Sequence, residues 1–309
     1  VLHGGEKITR PVLVTPEVKE IIRECIPLGP LHNPANLGGI EACEEIFPGV
    51  PNVGVFDTQF HQTMPPEAYL YAIPMEYYKN YGIRKYGFHG TSHHYVMLET
   101  AKYLGKKPEE TTIIPCHLGN GCSMAAIKNG KVVDTTMGLT PLEGLMMGTR
   151  SGDVDPAAVL RMVSLGKTAE EVDAILNKKS GLFAIGGIDS GDMRDIVRAA
   201  EHGKESATLA LKMFLRRVVK YIGSYFVLLQ NPDALVFTGG IGEHSAPERA
   251  QIVDALGCLG LKLDSAANEA TVGKVGTIST PDSKWKAIVM PTNEELMIAL
   301  STMEIVKKS

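Results

Sequence analysis

The chain has 309 residues, 44% of them hydrophobic and 21% charged, which is enough apolar material for two domains with cores of their own. This composition excludes a disordered or fibrous protein. Thirty-one Lys and Arg against thirty-five Asp and Glu give a net charge of −4, the wrong sign for a protein that neutralises many nucleic-acid phosphates.

No apolar run approaches the length of a membrane helix, and residues 1–7 lack the pattern of a secretion signal. The five cysteines are widely spaced and form no C-x-x-C pair, which predicts reduced thiols rather than disulfides or a zinc site. We therefore expect a cytoplasmic protein without nucleic-acid or membrane partners.

The first part of the chain predicts helices and one short strand. Thr15-Pro16 is a typical helix start, and Asn33-Pro34 opens a second helix with Asn33 as its cap. Residues 53–56 are an apolar run after a Pro-Gly pair and predict a buried strand that ends at Asp57. Two more helices, each stopped by a glycine, are predicted at 74–81 and 92–104.

In the middle of the chain, a glycine loop leads into a hairpin. A strand at 113–117 runs into Gly119-Asn120-Gly121, and the apolar segments 124–127 and 132–134 flank Asn129-Gly130. Asn-Gly between two strand patterns is the strongest short-range hairpin signal.

The last part alternates helices and strands again. Asp155 is expected to cap a helix, and Thr168, Ser245 and Thr292 each begin a capping-box pattern. A long amphipathic helix is predicted at 204–229, strands at 234–238 and 286–290, and a tight loop at 239–243. Alternating elements of this kind indicate an α/β protein with mixed parallel strands and hairpins.

Familiar glycine motifs of other enzymes fit poorly. Gly166-Lys167-Thr168 lacks the first glycine of a Walker A loop, and Gly240-Ile241-Gly242 lacks the third glycine of a dinucleotide fingerprint. No G-x-S-x-G elbow is present, and His89-x-x-x-His93 lacks the glutamate of a zinc protease.

Single polar residues allow more than one interpretation. Arg150 lies in a loop of glycines and hydroxyl residues, which favours binding of an oxyanion. Asp192 and Arg194 could equally be charges in the first turn of a helix. His61 and His202 are expected to be structural or surface residues.

The combination of several segments resembles the acetate kinases. The run IIPCHLGNGCSMAAIKNG at 113–130 resembles one of the two signature segments of that family. The other signature, an N-x-G-S-S-S-x-K loop, is not found in these residues. Members of the family also carry an arginine just before the segment that matches residues 1–5, and this arginine is not found here either. The sequence thus resembles an acetate kinase without its first segment. Further matching segments are 55–58, 86–93, 148–153, 237–243 and 291–295.

The resemblance implies a two-domain α/β fold of the actin, Hsp70 and sugar-kinase (ribonuclease H-like) class, with ATP in the cleft between the domains. Residues 1–62 with 294–309 would be the remainder of an incomplete first domain, and 63–293 the second domain. It also implies a homodimer that reversibly transfers a phosphoryl group from ATP to acetate, giving acetyl phosphate and ADP. Mg²⁺, or Mn²⁺ in its place, would assist.

The resemblance also implies roles for individual residues. Asp57, His89 and Arg150 would surround the transferring phosphoryl group, and Glu294 would help to hold the metal. The loop 117–121 would cradle phosphates through backbone N–H groups. The remaining assignments are nucleotide binding by His117, Leu118, Gly119, Asn120, Gly121, Asp192, Met193, Arg194, Gly239, Gly240, Ile241, Gly242 and Glu243, and an acyl pocket of Leu2, Leu31, His32, Phe88 and Pro141.

Two alternatives stay open. A propionate or butyrate kinase would differ only in the acyl pocket. A nucleotide-binding fragment without turnover would bind ATP but form no acetyl phosphate.

Overall fold

In the computed structural model, which describes residues 1–30 and 32–308, helices and strands alternate along the chain. The strands are β1 Val12–Leu13, β2 Val53–Gly54, β3 Ile113–Leu118, β4 Cys122–Lys128, β5 Lys131–Thr135, β6 Ala234–Thr238, β7 Gly276–Thr277 and β8 Lys286–Val289. The α-helices are α1 Pro16–Glu24, α2 Asn33–Ile46, α3 Pro66–Tyr69, α4 Met75–Tyr81, α5 Gly90–Leu104, α6 Pro156–Ser164, α7 Ala169–Lys178, α8 Gly181–Gly186, α9 Met193–Glu201, α10 Glu205–Leu229, α11 Gly239–His244, α12 Ala246–Ala255, α13 Ser265–Ala270 and α14 Glu294–Val306. Short 3-10 turns lie at Ile26–Leu28, Gln59–Thr63, Pro108–Glu110 and Gly257–Leu259.

The chain divides into two compact units, each built from separate segments. The first unit comprises Val1–Thr111, Ile127–Thr140 and Thr292–Ser309, and the second comprises Thr112–Ala126 and Pro141–Pro291. The predicted boundaries differ from this division, which places 63–111 and 127–140 in the first unit. The reason is packing: α5 contacts both the Gln59–Thr63 turn and α14.

The first unit has a small core of its own. β1 and β2 pair antiparallel, with Val12 opposite Gly54. Ile22 of α1 and Leu37 of α2 are buried together with Ile8 and Phe56. The hairpin predicted at Asn129-Gly130 is confirmed, since both residues have positive φ, 51° and 75°, as a tight hairpin turn with the favoured twist requires.

The second unit contains the strand order β4-β3-β6-β8-β7. β3, β6 and β8 are parallel neighbours, and every residue of β6 is buried, as expected for a central strand covered on both faces. The loops that follow β3 and β6 therefore leave the sheet at the same edge, because adjacent parallel strands end on the same side. This edge is where ligands bind in open α/β sheets.

Several local predictions are confirmed. Thr15, Asp155 and Thr168 each accept a hydrogen bond from a backbone N–H as helix caps. Gly82 and Gly105 end their helices in the left-handed conformation, with φ of 63° and 67°. The five cysteines are free. Among the described residues, no helix combines the length and apolarity that crossing a membrane requires.

Other local predictions are wrong. Asn33 does not cap α2: it is the first residue of the helix, fully buried, and its amide binds the backbone of His3 and Ile22. Residues 239–243 form the helix α11 rather than a tight loop. The hydroxyl of Ser245 donates to the Glu248 carboxylate instead of capping the backbone. Asn293, not Thr292, caps α14 by accepting from the N–H of Leu296 at 2.9 Å.

Candidate functional site

A cavity of about 910 Å³ lies in the second unit. Its volume falls within the range of small-molecule sites, roughly 300–1,000 Å³. Residues from the β3–β4 loop, the start of α9 and the start of α11 line it. The lining comprises Gly119, Asn120, Thr149, Gly191, Asp192, Met193, Arg194, Val197, Gly240, Ile241, His244 and Ser245.

The cavity brings together three chain segments that the sequence assigned to nucleotide binding. Gly119 and Asn120 come from the first segment, 192–194 from the second, and Gly240 with Ile241 from the third. Residues more than 70 positions apart thus meet in one place. The other predicted nucleotide residues are not part of the lining, namely His117, Leu118, Gly121, Gly239, Gly242 and Glu243.

The β3–β4 loop is held in shape by its own hydrogen bonds. The N–H of Gly119 donates to the Gly121 carbonyl at 3.1 Å, and the Asn120 carbonyl accepts from the N–H of Gly148 at 3.0 Å. A methyl group on Gly148 would lie 1.9 Å from Oδ1 of Asn120, so a side chain there would displace the Asn120 amide. Since its N–H is already bound within the loop, Gly119 does not present that group to a phosphate as the sequence prediction required.

The start of α11 packs closely against the end of β3. Gly239 has φ of 75° and donates its N–H to Oε1 of Glu243 at 2.8 Å. A Cβ on Gly239 would lie 2.9 Å from the carbonyl oxygen of Leu118. Glu243 therefore supports the backbone of α11 from within the helix.

Arg249 of α12 is a residue that the sequence analysis missed. It is 1% exposed, and its guanidinium donates to the carbonyls of Gly242 and Glu243, each at 2.9 Å. The same guanidinium also binds Asn268 and the carbonyl of Thr271. Arg249 thus ties the end of α11 to α13, and nothing in the local sequence distinguishes it from a surface arginine.

Asp192 and Arg194 are charges in the first turn of a helix, and they also lie where the predicted nucleotide site would be, so the structure is consistent with both interpretations. Asp192 caps α9 by accepting from the N–H of Arg194 at 2.8 Å, and its carboxylate pairs with the Arg194 guanidinium at 2.7 Å. This partner lowers the pKa of Asp192 to about 2. The pair is a helix-start ion pair that also lines the cavity.

Arg150 is a half-buried cation in the second unit. Its guanidinium donates to the Pro141 carbonyl at 3.1 Å and lies 3.6 Å from the sulfur of Met147. No described carboxylate forms an ion pair with it, and burial lowers its pKa from the usual arginine value. A partly desolvated guanidinium with unused donors is suited to binding an anion.

Asp57 and His89 meet in the first unit. Oδ2 of Asp57 accepts from the backbone N–H of His89 at 2.7 Å, and its carbonyl accepts from Gly90 at 2.9 Å. His89 has φ of 56°, a conformation uncommon for a residue with a side chain. Burial is the main reason that the pKa of Asp57 is raised.

Glu294, the predicted metal ligand, begins α14 in the same unit. Burial raises its pKa, and the negative charge of Asp57 raises it further. A divalent cation between two such carboxylates would offset the repulsion between their negative charges. Mg²⁺ often binds only one or two protein carboxylates, and phosphate and water complete its coordination shell. The described residues contain no group of three or more His, Cys, Asp or Glu side chains that could hold a metal ion.

The residues predicted to form the acyl pocket are divided between the units. Leu2, His32 and Phe88 lie in the first unit, Pro141 lies in the second, and Leu31 is outside the described residues. Phe88 is 1% exposed and packs edge-on against His3, with ring centroids 5.7 Å apart. The structure therefore gives Phe88 a core-packing role at least as clearly as a pocket role.

Five cavity residues were absent from the sequence prediction, although most are neighbours of predicted ones. Gly191 precedes Asp192, and His244 and Ser245 directly follow the segment 239–243. Val197 lies four residues after Met193, on the same face of α9. Extending each predicted segment by one helical turn would have found these four. The fifth is Thr149.

The comparisons with known proteins agree along the chain. The profile of the acetokinase family matches residues 1–300. An acetate kinase of Thermotoga maritima is 57% identical over 310 aligned positions, which span 100% of this chain and 77% of that protein.

Two crystal structures superpose closely. The acetate kinase of Porphyromonas gingivalis has a TM-score of 0.95 and 49% identity, covering 99% of this chain and 77% of that one. A propionate kinase from Francisella tularensis has a TM-score of 0.93 and 46% identity, covering 97% of this chain and 77% of that one. The predicted fold class, the α/β fold of the actin and sugar-kinase type, is thereby confirmed. By sequence and by fold, the chain belongs to the acetokinase family.

Proposed function

We propose that this protein transfers a phosphoryl group from ATP to acetate, reversibly, forming acetyl phosphate and ADP. The observation that carries the proposal is the cavity of the second unit, where three separate segments with the family's sequence pattern converge. Phosphoryl transfer needs little covalent chemistry from the protein and much positioning and charge compensation.

The cavity is suited to an adenine nucleotide. Met193, Val197 and Ile241 offer apolar surface for a base, while Asn120 and Thr149 offer polar groups. The proposal assigns the base and ribose to the α9 and α11 side, and the outer phosphates to the β3–β4 loop. Because Gly119 uses its N–H within the loop, the side chain of Asn120 becomes the stronger candidate for a phosphate contact.

Arg150 is proposed to bind oxygens of the transferring group. Its guanidinium has donors left over and no acidic partner among the described residues. The roles proposed for Asp57 and His89 rest on the family resemblance. Glu294 would help to hold Mg²⁺ or Mn²⁺, which would neutralise phosphate charge when bound.

Other features are proposed from the family alone. They are a homodimer and a cytoplasmic location. Acetate is proposed as the preferred acid from the family resemblance. One extra methylene is worth only about 1–3 kcal/mol in a hydrophobic pocket, so the preference should be moderate. Because a propionate kinase has a similar fold, a longer acid such as propionate is the alternative substrate.

Nucleotide binding can be tested by filling the cavity. A Cβ on Gly240 would meet no atom within 4 Å, so Gly240→Leu extends into the cavity without a clash at its base. Gly257 is equally free of neighbours but does not line the cavity, so Gly257→Leu is the matched control. We expect calorimetry to show ADP binding to the wild type and the control, and little binding to Gly240→Leu. Equal binding by both variants would contradict the assignment.

Turnover is tested separately. We expect the protein to form acetyl phosphate from ATP and acetate. A protein that binds ADP but forms no acetyl phosphate would fit the alternative of a nucleotide-binding protein without turnover. Acetyl phosphate is measured as its hydroxamate with ATP, Mg²⁺ and acetate, and with butyrate for comparison. Equal kcat/KM for acetate and butyrate would contradict the acyl preference.

A further inference from the structure

The segment 141–153, here called the Arg150 loop, is closed at its neck by a pair of backbone contacts. The N–H of Asp153 donates to the Gly144 carbonyl at 3.0 Å, and the N–H of Gly144 donates to Oδ1 of Asp153 at 2.8 Å. Gly152 has φ of 66°, and a Cβ there would lie 2.4 Å from the Leu145 carbonyl oxygen. A residue with a side chain would therefore not fit at position 152 without a shift of the backbone.

Two side chains of α10 hold this neck from outside. Arg217 donates to the Gly144 carbonyl at 2.8 Å and to the Asp153 carbonyl at 3.3 Å. The hydroxyl of Tyr221 donates to Oδ2 of Asp153 at 2.7 Å. Arg217 and Tyr221 are four residues apart, so they lie on the same face of the helix.

These contacts are more than a surface ion pair. The Arg217 guanidinium lies 3.5 Å from the Asp153 carboxylate, and the two side chains are 26% and 42% exposed. An exposed ion pair by itself contributes little. Here Arg217 also binds both ends of the neck through backbone carbonyls, and Asp153 binds the backbone and Tyr221 with separate oxygens.

The neck is connected to Arg150 through the loop itself. The N–H of Met147 donates to the Arg150 carbonyl at 3.1 Å, and the Arg150 guanidinium donates to the Pro141 carbonyl at 3.1 Å. The first contact lies within the stretch 144–153 that the neck closes, and the second joins Arg150 to Pro141, just before the neck. The neck and the Arg150 contacts therefore belong to one hydrogen-bonded segment.

We propose that Asp153, Arg217 and Tyr221 are positioning residues that hold the Arg150 guanidinium in place for phosphoryl transfer. The inference rests on the proposed function, which gives Arg150 its substrate contact. A small displacement of a group that contacts the reacting atoms lowers kcat strongly. Nucleotide binding should change less, because most of the cavity lining lies outside the Arg150 loop.

The test compares Arg217→Met and Tyr221→Phe with Arg216→Met. Arg216 is the exposed neighbour of Arg217 on α10 and makes no contact with the loop among the described interactions. We expect kcat to fall on the order of tenfold for Arg217→Met and less for Tyr221→Phe, with a smaller change in KM for ATP. Arg216→Met should match the wild type. A change confined to KM, or an equal loss in Arg216→Met, would overturn the proposal.

A double variant tests whether the residues act through Arg150. If they do, adding Arg217→Met to Arg150→Lys lowers kcat hardly further, because the group being positioned is already altered. Multiplying losses would mean independent effects and would overturn the proposal.

Two measurements do not depend on activity, so they separate a failure of this inference from a failure of the proposed function. Amides of 144–153 should exchange with deuterium faster in Arg217→Met than in Arg216→Met. Arg150 should also react faster with phenylglyoxal, as quantified on its peptide by mass spectrometry. Unchanged rates in both would overturn the proposal even if the enzyme is active, and faster rates support the anchoring even if acetyl phosphate is never formed.

Discussion

At the residue scale, Arg150 combines partial burial with the absence of a described acidic partner. Its pKa is lowered by burial, so the protein bears the cost of desolvating this charge without an ion pair in return. A bound anion would offset that cost. The same reasoning applies with opposite sign to Asp57 and Glu294, two carboxylates in the first unit whose pKa values are raised by burial.

The first prediction concerns the shape of that cation. Arg150→Lys keeps the charge but loses the planar fork of donors, so it should not behave as a conservative change. We expect kcat to fall on the order of a hundredfold or more, the usual cost of removing one donor to a developing charge.

His89→Ala should likewise lower kcat more than it raises KM. Steady-state kinetics decide, and an effect on KM alone in either variant would refute its assigned role.

At the element scale, α11 shows how a short helix is held at the edge of a sheet. Six residues are too few for a helix to be stable by itself. Glu243 binds its first N–H from within, and Arg249 binds carbonyls at its end. The position of Gly240 and Ile241 in the cavity therefore depends on α12 and α13.

The second prediction follows from this support. Arg249→Met keeps much of the apolar stem and removes the hydrogen bonds of the guanidinium. The carbonyls of Glu243 and Asn268 keep a backbone donor, whereas a buried group left without a partner costs about 1–3 kcal/mol. We expect a lower melting temperature and weaker ADP binding. Arg161→Met serves as control, because Arg161 is exposed and bonds only Ser164 of its own helix among the described contacts. Unchanged ADP affinity in a folded Arg249→Met variant would contradict the idea that Arg249 holds α11 in place for nucleotide binding.

At the scale of the whole molecule, each unit is assembled from segments that are distant in the sequence. The first unit takes its last helix, α14, from the end of the described chain, and its core includes residues near the start. Its stability is therefore a collective property. His3 provides a way to measure it, because this histidine is fully buried and accepts from the N–H of Gly5 through Nδ1 at 3.0 Å.

The third prediction is a pH dependence of that stability. Burial, with a smaller contribution from Arg84, lowers the pKa of His3 to about 4 from its usual 6.5. Above pH 6.5 the ring is neutral in both states; between 6.5 and about 4 the unfolded chain binds a proton that the folded chain excludes. Stability should thus decrease as the pH falls through this range, by about 3 kcal/mol for this group.

The measurement is native-state hydrogen exchange at Ile22, a fully buried core residue of the first unit. His3→Gln retains an acceptor for Gly5 and removes the titration, so the pH slope should become shallower. His202→Gln, at an exposed position in the second unit, should leave the slope unchanged. Identical slopes for the wild type and His3→Gln would contradict the prediction.

The sequence by itself determined the features that depend on neighbouring residues. Thr15, Asp155 and Thr168 cap helices as predicted, Gly82 and Gly105 end them, and Asn129-Gly130 turns the hairpin. Each is set by a local backbone preference that tertiary contacts did not override. The motif pattern along the chain likewise determined the family.

Only the tertiary structure decided the features that depend on distant partners. Asn33 is buried in the core instead of capping a helix, because the backbone groups of His3 and Ile22 reach its amide. Segment 239–243 became a helix because Arg249 and Glu243 satisfy its backbone. The cavity, the anchoring of the Arg150 loop and the division into units depend on contacts between residues far apart in the chain. Such contacts leave no local pattern in the sequence. A buried polar group must form a hydrogen bond, but its partner can come from any position in the chain.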